Sequence, residues 1–304
     1  MTLIYTLPQF LLFFFVYSFL GWVAEVAWAG LRTNQLVNRG FLNGPWCPIY
    51  GCGMVTILAL LGPWMDHIAV VFFGGMVLTT LIELVGGWAL FKLFHARWWD
   101  YSHIPGNIGG YICPQFSLMW GVGAVVLVMV VHPLIALPIL HLPEPALLVI
   151  NGLLLMVFGP DVGLSIAEAI GLDRHLQELS EVSAMLRLLS DKLTEVIGTN
   201  AITMDELLDE QKLQLTLAAM EGRDNAAELR AQLRELSDRS RALRATSAKL
   251  AKERFFGSGR ILRAFPSMRT PQYGETMDAL RESLNRLADA ARRNAEEWKD
   301  LWNR

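Results

Sequence analysis

Near the start of the chain, residues Leu7 to Leu31 contain a single charged side chain, Glu25. Crossing about 30 Å of hydrocarbon takes about 20 mostly apolar residues in a helix. With no water to satisfy the backbone, only helices and closed barrels can cross at all. A continuous apolar run of this length, without strand-like alternation, reads as a spanning helix. Four further runs follow, at about Ile49–Met65, Ile68–Phe94, Gly109–Val131 and Pro145–Ile170. The apolar stretch PLIALPILHLP between the last two is short and proline-rich, and reads as an interfacial loop. Ala27-Trp28-Ala29 resembles a cleavage site, but no basic residue precedes the first run, as a signal sequence would need.

The charges divide the chain in two. Of 26 Lys and Arg and 29 Asp and Glu, the first 172 residues hold only four basic (Arg32, Arg39, Lys92, Arg97) and seven acidic residues. That leaves 22 of each sign for residues 173–304, against an overall mean hydropathy of +0.35. The expected domains are therefore a transmembrane domain, 1–172, and a water-facing helical tail, 173–304. The four basic residues fall after spans one and three, none after spans two and four. Because Lys and Arg collect in cytoplasmic loops, the N-terminus is expected outside and the tail in the cytoplasm. A net charge of -3 gives no basis for nucleic-acid binding. No Walker A sequence occurs, so nucleotide hydrolysis by the P-loop route is not expected of this chain. Three cysteines make no disulfide framework.

A unit recurs within the first 120 or so residues. Glu25 and Glu83 each lie in a span. Fourteen residues later come Arg39 and Arg97, then an Asn (Asn43, Asn107), then Cys-Pro (Cys47-Pro48, Cys113-Pro114), then an aromatic residue (Tyr50, Phe116) opening the next span. Two hairpins of the same orientation suggest a pseudo-two-fold axis along the membrane normal. The fold class expected is all-α: five transmembrane helices, made of a repeated two-helix unit plus one, before a helical or coiled-coil cytoplasmic tail.

Ionisable residues inside spans cost about 2.5–3.5 kcal/mol and usually mark a pathway or site. Glu25, Glu83 and Asp161 are such residues. The connecting segments GFLNGPWCPIYGCG and RWWDYSHIPGNIGGYICPQ are too rich in Gly and Pro for helix and too apolar for wet loops. Such backbone belongs packed in protein or lining a cavity. Together these segments assemble a polar-pocket candidate from Glu25, Arg39, Asn43, Cys47, Tyr50, Glu83, Arg97, Asp100, Tyr101, Ser102, Asn107, Cys113 and Asp161. Alternatives stay open at each. Arg39 and Arg97 either serve a ligand or neutralise Glu25, Glu83 or Asp100. Cys47 and Cys113 read as small buried hydrophobes. Trp98 and Trp99 read as interface aromatics, and His67, His132 and His141 as interface residues. Cys47, Cys113, His103 and Asp100 lack the tight spacing of a metal site. No cofactor, metal or catalytic residue is assigned.

In the tail, Leu176, Leu179, Val182, Leu186, Leu189, Leu193 and Val196 mark an amphipathic helix from Leu172. Gly198 to Thr203 breaks it. A second helix is expected over 204–256, with Leu208, Leu215, Leu229, Leu233, Leu236, Leu243 and Leu250 on one seam, and a third over 275–302, giving antiparallel helices or a coiled coil able to dimerise. Between them Arg254, Arg260, Arg263 and Arg269 alternate with apolar residues including Phe265. That pattern suits docking on anionic lipid or on the bundle, or a plain helix connection.

The stretches GFLNGPWCPIYG, WDYS (Trp99 to Ser102), NIGGYIC and RILRAFPSM resemble the bacterial family labelled "putative ABC transporter permease", of the CmpB type (ABC-transporter type IV). The resemblance implies an inner-membrane permease working with a separate ATPase subunit, and brings no substrate or catalytic residues. The residues themselves leave an intramembrane lipid-handling protein or enzyme, and a scaffold or sensor acting through its tail, as alternatives.

Overall fold

The computed structural model describes residues 5–33, 37–197, 226–253, 257–282 and 284–286. Among these there is no strand. The helices are α1 (Leu7–Thr33), α2 (Pro48–Leu61), α3 (Ile68–Phe94), α4 (Pro114–Val126), α5 (His132–Leu140), α6 (Glu144–Ile197), α7 (Ala226–Lys252) and α8 (Ser258–Ala264). A 3-10 turn, Gly62–Trp64, closes α2, and a π turn, Leu127–Val131, joins α4 to α5. Residues 274–282 are also helical.

Four helices are long and apolar enough to cross a bilayer: Leu7–Arg32, Ile68–Phe94, Pro114–Leu140 and Glu144–Leu188. Their outward faces are apolar, with Phe73, Trp88, Val122 and Met156 all more than half exposed. Apolar faces of this extent on helices long enough to span fit a lipid surround. The chain is a membrane protein.

The second run is different. α2 has 14 residues, roughly 21 Å at 1.5 Å per residue. It packs between α1 and α3, and its Met54, Ile57 and Leu58 are buried. Gly21 lets it approach α1, because a Cβ there would collide with the Tyr50 ring. α3 packs in turn on α4. Phe10, Phe13, Tyr17, Met54, Ile57, Leu58, Val71, Ala124, Val128 and Leu147 form the core.

The fourth run differs from expectation at both ends. Helix begins at Pro114, not Gly109, and PLIALPILHLP is helical to Leu140 rather than an interfacial loop. Pro133 lacks the N–H that an α-helix would use and its ring crowds the preceding turn. The wider π turn just before it absorbs that conflict. His132, at this junction, is not an interface residue: it is 3% exposed. Tyr5 and Tyr17 hydroxyls lie 2.8 and 2.9 Å from its Nε2 and Nδ1.

The chain forms two compact units, one of residues 1–170 with 254–271, the other of 171–253 with 272–304. α6 runs unbroken through residue 172, since nothing at the end of the apolar stretch stops a helix. In the second unit, His175 meets Ser247 at 3.3 Å and Glu181 meets Arg239 at 3.5 Å. The rising and falling numbers set α6 and α7 antiparallel. Leu176, Val182, Leu233, Leu236, Leu243 and Leu250 are buried. The expected break at 198–203, Leu208, Leu215, Arg254 and the end of the third tail helix lie outside the described residues, as does the side chain of Leu229.

Candidate functional site at the hairpin junction

The first connecting segment, 37–47, is folded around Asn38. Its Nδ2 donates to the carbonyls of Leu42 (3.2 Å) and Asn43 (2.8 Å), and its Oδ1 accepts from Gly40 N and from Trp22 Nε1 (2.7 Å). α6 holds the segment from one side: Asp161 accepts from the backbone N–H of Asn43 (3.0 Å) and Gly44 (2.8 Å), while Ser165 and Glu168 accept from Asn43 Nδ2 at 3.1 Å each. α8 holds it from another. Arg260, 0% exposed, donates to Asn43 Oδ1 (3.2 Å), Gly40 O (2.6 Å) and Phe41 O (2.8 Å), with Glu168 3.9 Å away. Irregular backbone among apolar helices must have its polar groups satisfied by protein, and these side chains satisfy it. Glu168 also accepts from Gly257 N, and its carbonyl from Ser258 Oγ.

The second segment, 95–113, is folded around Asn107, which donates to Ser102 O (3.2 Å) and Ile104 O (2.8 Å) and accepts from Gly110 N (3.0 Å). Asp100 accepts from Ser102 N (3.0 Å) and Ser102 Oγ, and sits 3.7 Å from Arg97 and 3.8 Å from Arg269. Although burial opposes it, these hydrogen bonds and cations hold the Asp100 carboxyl below the usual range. Arg97 also exchanges backbone hydrogen bonds with Arg269 (2.7 and 2.9 Å). Gly110 has φ +75°, and a Cβ on it would come within 2.6–2.8 Å of Arg97, Ser102 and Asp100. Trp98 is not an interface aromatic: 3% exposed, it is packed edge-on by Phe41, Phe94 and Phe265, the last at 4.8 Å between ring centres. Residues 257–271 thus hold both segments at once.

Between the hairpins the two glutamates are joined by aromatic residues. Tyr50 donates its hydroxyl to Glu25 at 2.7 Å. Its ring meets Trp120 edge-on at 5.7 Å. Trp120 donates its indole N–H to Glu83 at 3.1 Å, and Tyr101, stacked on Phe116, donates to the other oxygen at 3.0 Å. Glu25 has a cation, Arg39, at 3.8 Å. Glu83 is 5% exposed, and among the described residues no Lys, Arg or His lies within ion-pair distance of it. Arg97 is engaged instead by Asp100 and lies over the rings of Tyr111 and Phe91.

The candidates read from the sequence therefore fall into three groups. Glu25, Arg39, Tyr50, Glu83 and Tyr101 meet at the junction. Asn43 and Asp161 join Arg260. Arg97, Asp100, Ser102 and Asn107 build the second segment with Arg269. Cys47 and Cys113 are buried and precede α2 and α4. Burial, with Glu25 nearby, pushes the Cys47 thiol up to about 12, against the pull of Arg39 and Arg260, so it is no nucleophile at neutral pH. Arg263 is half-buried. Among the described residues no three acidic, His or Cys side chains are placed to hold a metal. Trp120, Asn38, Ser165 and Glu168 were not among the candidates. Only the three- and four-residue spacing of Asp161, Ser165 and Glu168 on one helix face could have signalled the last two.

The family described as "Putative ABC-transporter type IV" (CmpB) matches residues 12–166. The chain belongs to that family. The matched stretch contains α1 from residue 12, all of α2, α3 and α4, both connecting segments and Asp161. No curated protein and no solved structure matches the chain.

Proposed function

We propose that the chain is the membrane-embedded permease component of a transport system driven by a separate ATPase subunit, and that its working site is the junction of the two hairpins. The observation that carries this is the link Glu25–Tyr50–Trp120–Glu83, which places two carboxylates from different spans on one aromatic bridge. Transporter sites lie at repeat interfaces near mid-membrane. In this reading α2, with its 3-10 turn, counts as a fifth, short span enclosed by α1 and α3. The two hairpins are copies of one unit, and residues 1–172 form the membrane domain. In this reading the connecting segments and the tail, 173–304, lie in the cytoplasm and the N-terminus outside, an orientation supported by the basic residues after spans one and three, and the membrane is a bacterial inner membrane. The connecting segments, clasped by 257–271, offer the ATPase a surface. The tail supplies a coiled coil and a route to a homodimer.

A lipid-handling role needs guanidiniums at headgroup depth. The engagement of Arg39 by Glu25 and of Arg97 and Arg269 by Asp100 weighs against it. A scaffold or sensor reading is favoured by one observation, the grip of 257–271 on both segments. Affinity purification of the tagged full chain from its native membrane tests the choice. Recovery of an ATPase in stoichiometric amount supports the permease, and its repeated absence, with no solute moved in proteoliposomes, removes it.

A further inference from the structure

We propose that Glu83 is an exchangeable proton-binding site, so that the junction takes up and releases a proton there. The inference rests on reading the junction as the working site and names the ligand it handles.

The two glutamates are alike in sequence and different in surroundings. Glu25 is met by Arg39, which only donates hydrogen bonds and stays charged. Glu83 is buried in a spanning helix and met by two neutral groups. An uncompensated carboxylate in such a place is costly and is relieved by a cation or a proton.

Counting hydrogens shows that the pocket suits both states. Trp120 can only donate, so Glu83 Oε2 must always be an acceptor. Tyr101 can donate or accept. When Glu83 is ionised, both partners donate to it. When Glu83 is protonated, Oε2 remains the carbonyl oxygen for Trp120 and the new O–H on Oε1 donates to the Tyr101 oxygen. The change needs only a turn of the Tyr101 hydroxyl, and no heavy atom moves. A metal cation in the same place would face the hydrogens of Trp120 and Tyr101.

The surrounding groups are consistent from each side. On the α2 side stands Tyr50, and through it Glu25 with Arg39. On the α4 side stand Trp120 and, just before the helix start, the buried Cys113. On the second connecting segment Tyr101 is followed in space by Asp100 with Arg97 and Arg269. No fixed cation among the described residues reaches Glu83 from any of them. Tyr101 belongs to the connecting segment, and its hydroxyl is the one partner of Glu83 that can both donate and accept.

Infrared difference spectroscopy on the full chain in lipid nanodiscs tests this. Wild type, Glu83→Gln and Glu25→Gln are compared over the pH range in which all are folded. The expected result is a protonated-carboxyl C=O band that shifts in heavy water, titrates reversibly, disappears in Glu83→Gln and persists in Glu25→Gln. If Glu83→Gln removes only carboxylate bands at every pH, the proposal is overturned. Should Glu83→Gln not fold, Tyr101→Phe carries the test, because it leaves the carboxyl and removes its ambivalent partner. The same band must then shift; an unmoved band overturns the proposal. Loss of the band would leave the ATPase pull-down untouched, and loss of the pull-down would leave the band, so the two readings fail separately.

Discussion

Arg260 and Asn43, 217 residues apart in the chain, share a hydrogen bond of 3.2 Å at a guanidinium wholly shielded from solvent. The same guanidinium donates to two carbonyls of the first connecting segment. Removing it leaves Gly40 O, Phe41 O and Asn43 Oδ1 short of a partner inside the protein. Arg260→Ala is expected to cost about 2–4 kcal/mol, and Arg260→Lys to recover little, since one ammonium cannot reproduce the planar fork. Hydrogen exchange of residues 37–47 checks this: their amides should lose protection in both variants.

The Glu25–Arg39 pair has less at stake. Its atoms are 3.8 Å apart, and both side chains keep a quarter or more of their surface exposed. Partly solvated pairs contribute below about 1 kcal/mol. Arg39→Gln should therefore shift the melting temperature only slightly, whereas Trp120→Phe, which strips a donor from a buried carboxyl, should cost about 1–3 kcal/mol. Thermal unfolding in one detergent ranks the two.

Gly110 is held at φ +75° with three polar atoms crowding the position a Cβ would take. Gly110→Ala is expected to destabilise by about 1–3 kcal/mol and to disrupt the Arg97–Asp100–Ser102 cluster. Gly152, on α6, has nothing within 4 Å of that position. Gly152→Ala should be neutral or stabilising by up to about 1 kcal/mol. The pair of melting curves separates local strain from a general effect of adding a methyl group.

Asp100 carries a pH dependence of known sign. Its folded-state pKa lies below the unfolded value, so its contribution is complete above about pH 4, the unfolded Asp value, and is lost as pH falls through the folded value. Wild type should be more stable than Asp100→Asn at neutral pH, and the two should converge on acidification. Denaturation midpoints at several pH values check it.

Much of this architecture was legible in residue patterns. Length and apolarity marked α1 and α3; the apolar run places the start of α4 too early, at Gly109, although Cys113-Pro114 carries the signal, because proline fits the first turn of a helix. Where the pattern failed, a compensating neighbour was the cause. Pro133 and Pro138 look like breaks in PLIALPILHLP, yet Pro133 falls in the first turn of α5, just after the π turn at Leu127–Val131, and the helix continues past Pro138 to Leu140. Glu25, Glu83 and Asp161 were recognisable as charges out of place in a span, and the other candidates as polar residues in connecting segments too apolar for wet loops. Their partners were not, since Trp120 as a hydrogen-bond donor is indistinguishable in sequence from Trp88 as a lipid-facing aromatic. Arg97 stands fourteen residues after Glu83 as Arg39 does after Glu25, but it turns to Asp100, an acidic residue the first segment lacks.

The central claim, that the hairpin junction does the work of transport, is tested most directly in the complex recovered from native membrane. ATP hydrolysis is measured with wild type, Glu83→Gln and the remote control Gly152→Ala, at matched melting temperature. The account predicts that Glu83→Gln lowers hydrolysis about tenfold or more, equivalent to about 1.4 kcal/mol in the rate-limiting barrier, while Gly152→Ala leaves it unchanged. Hydrolysis in Glu83→Gln equal to wild type, in a folded and fully assembled complex, would contradict it.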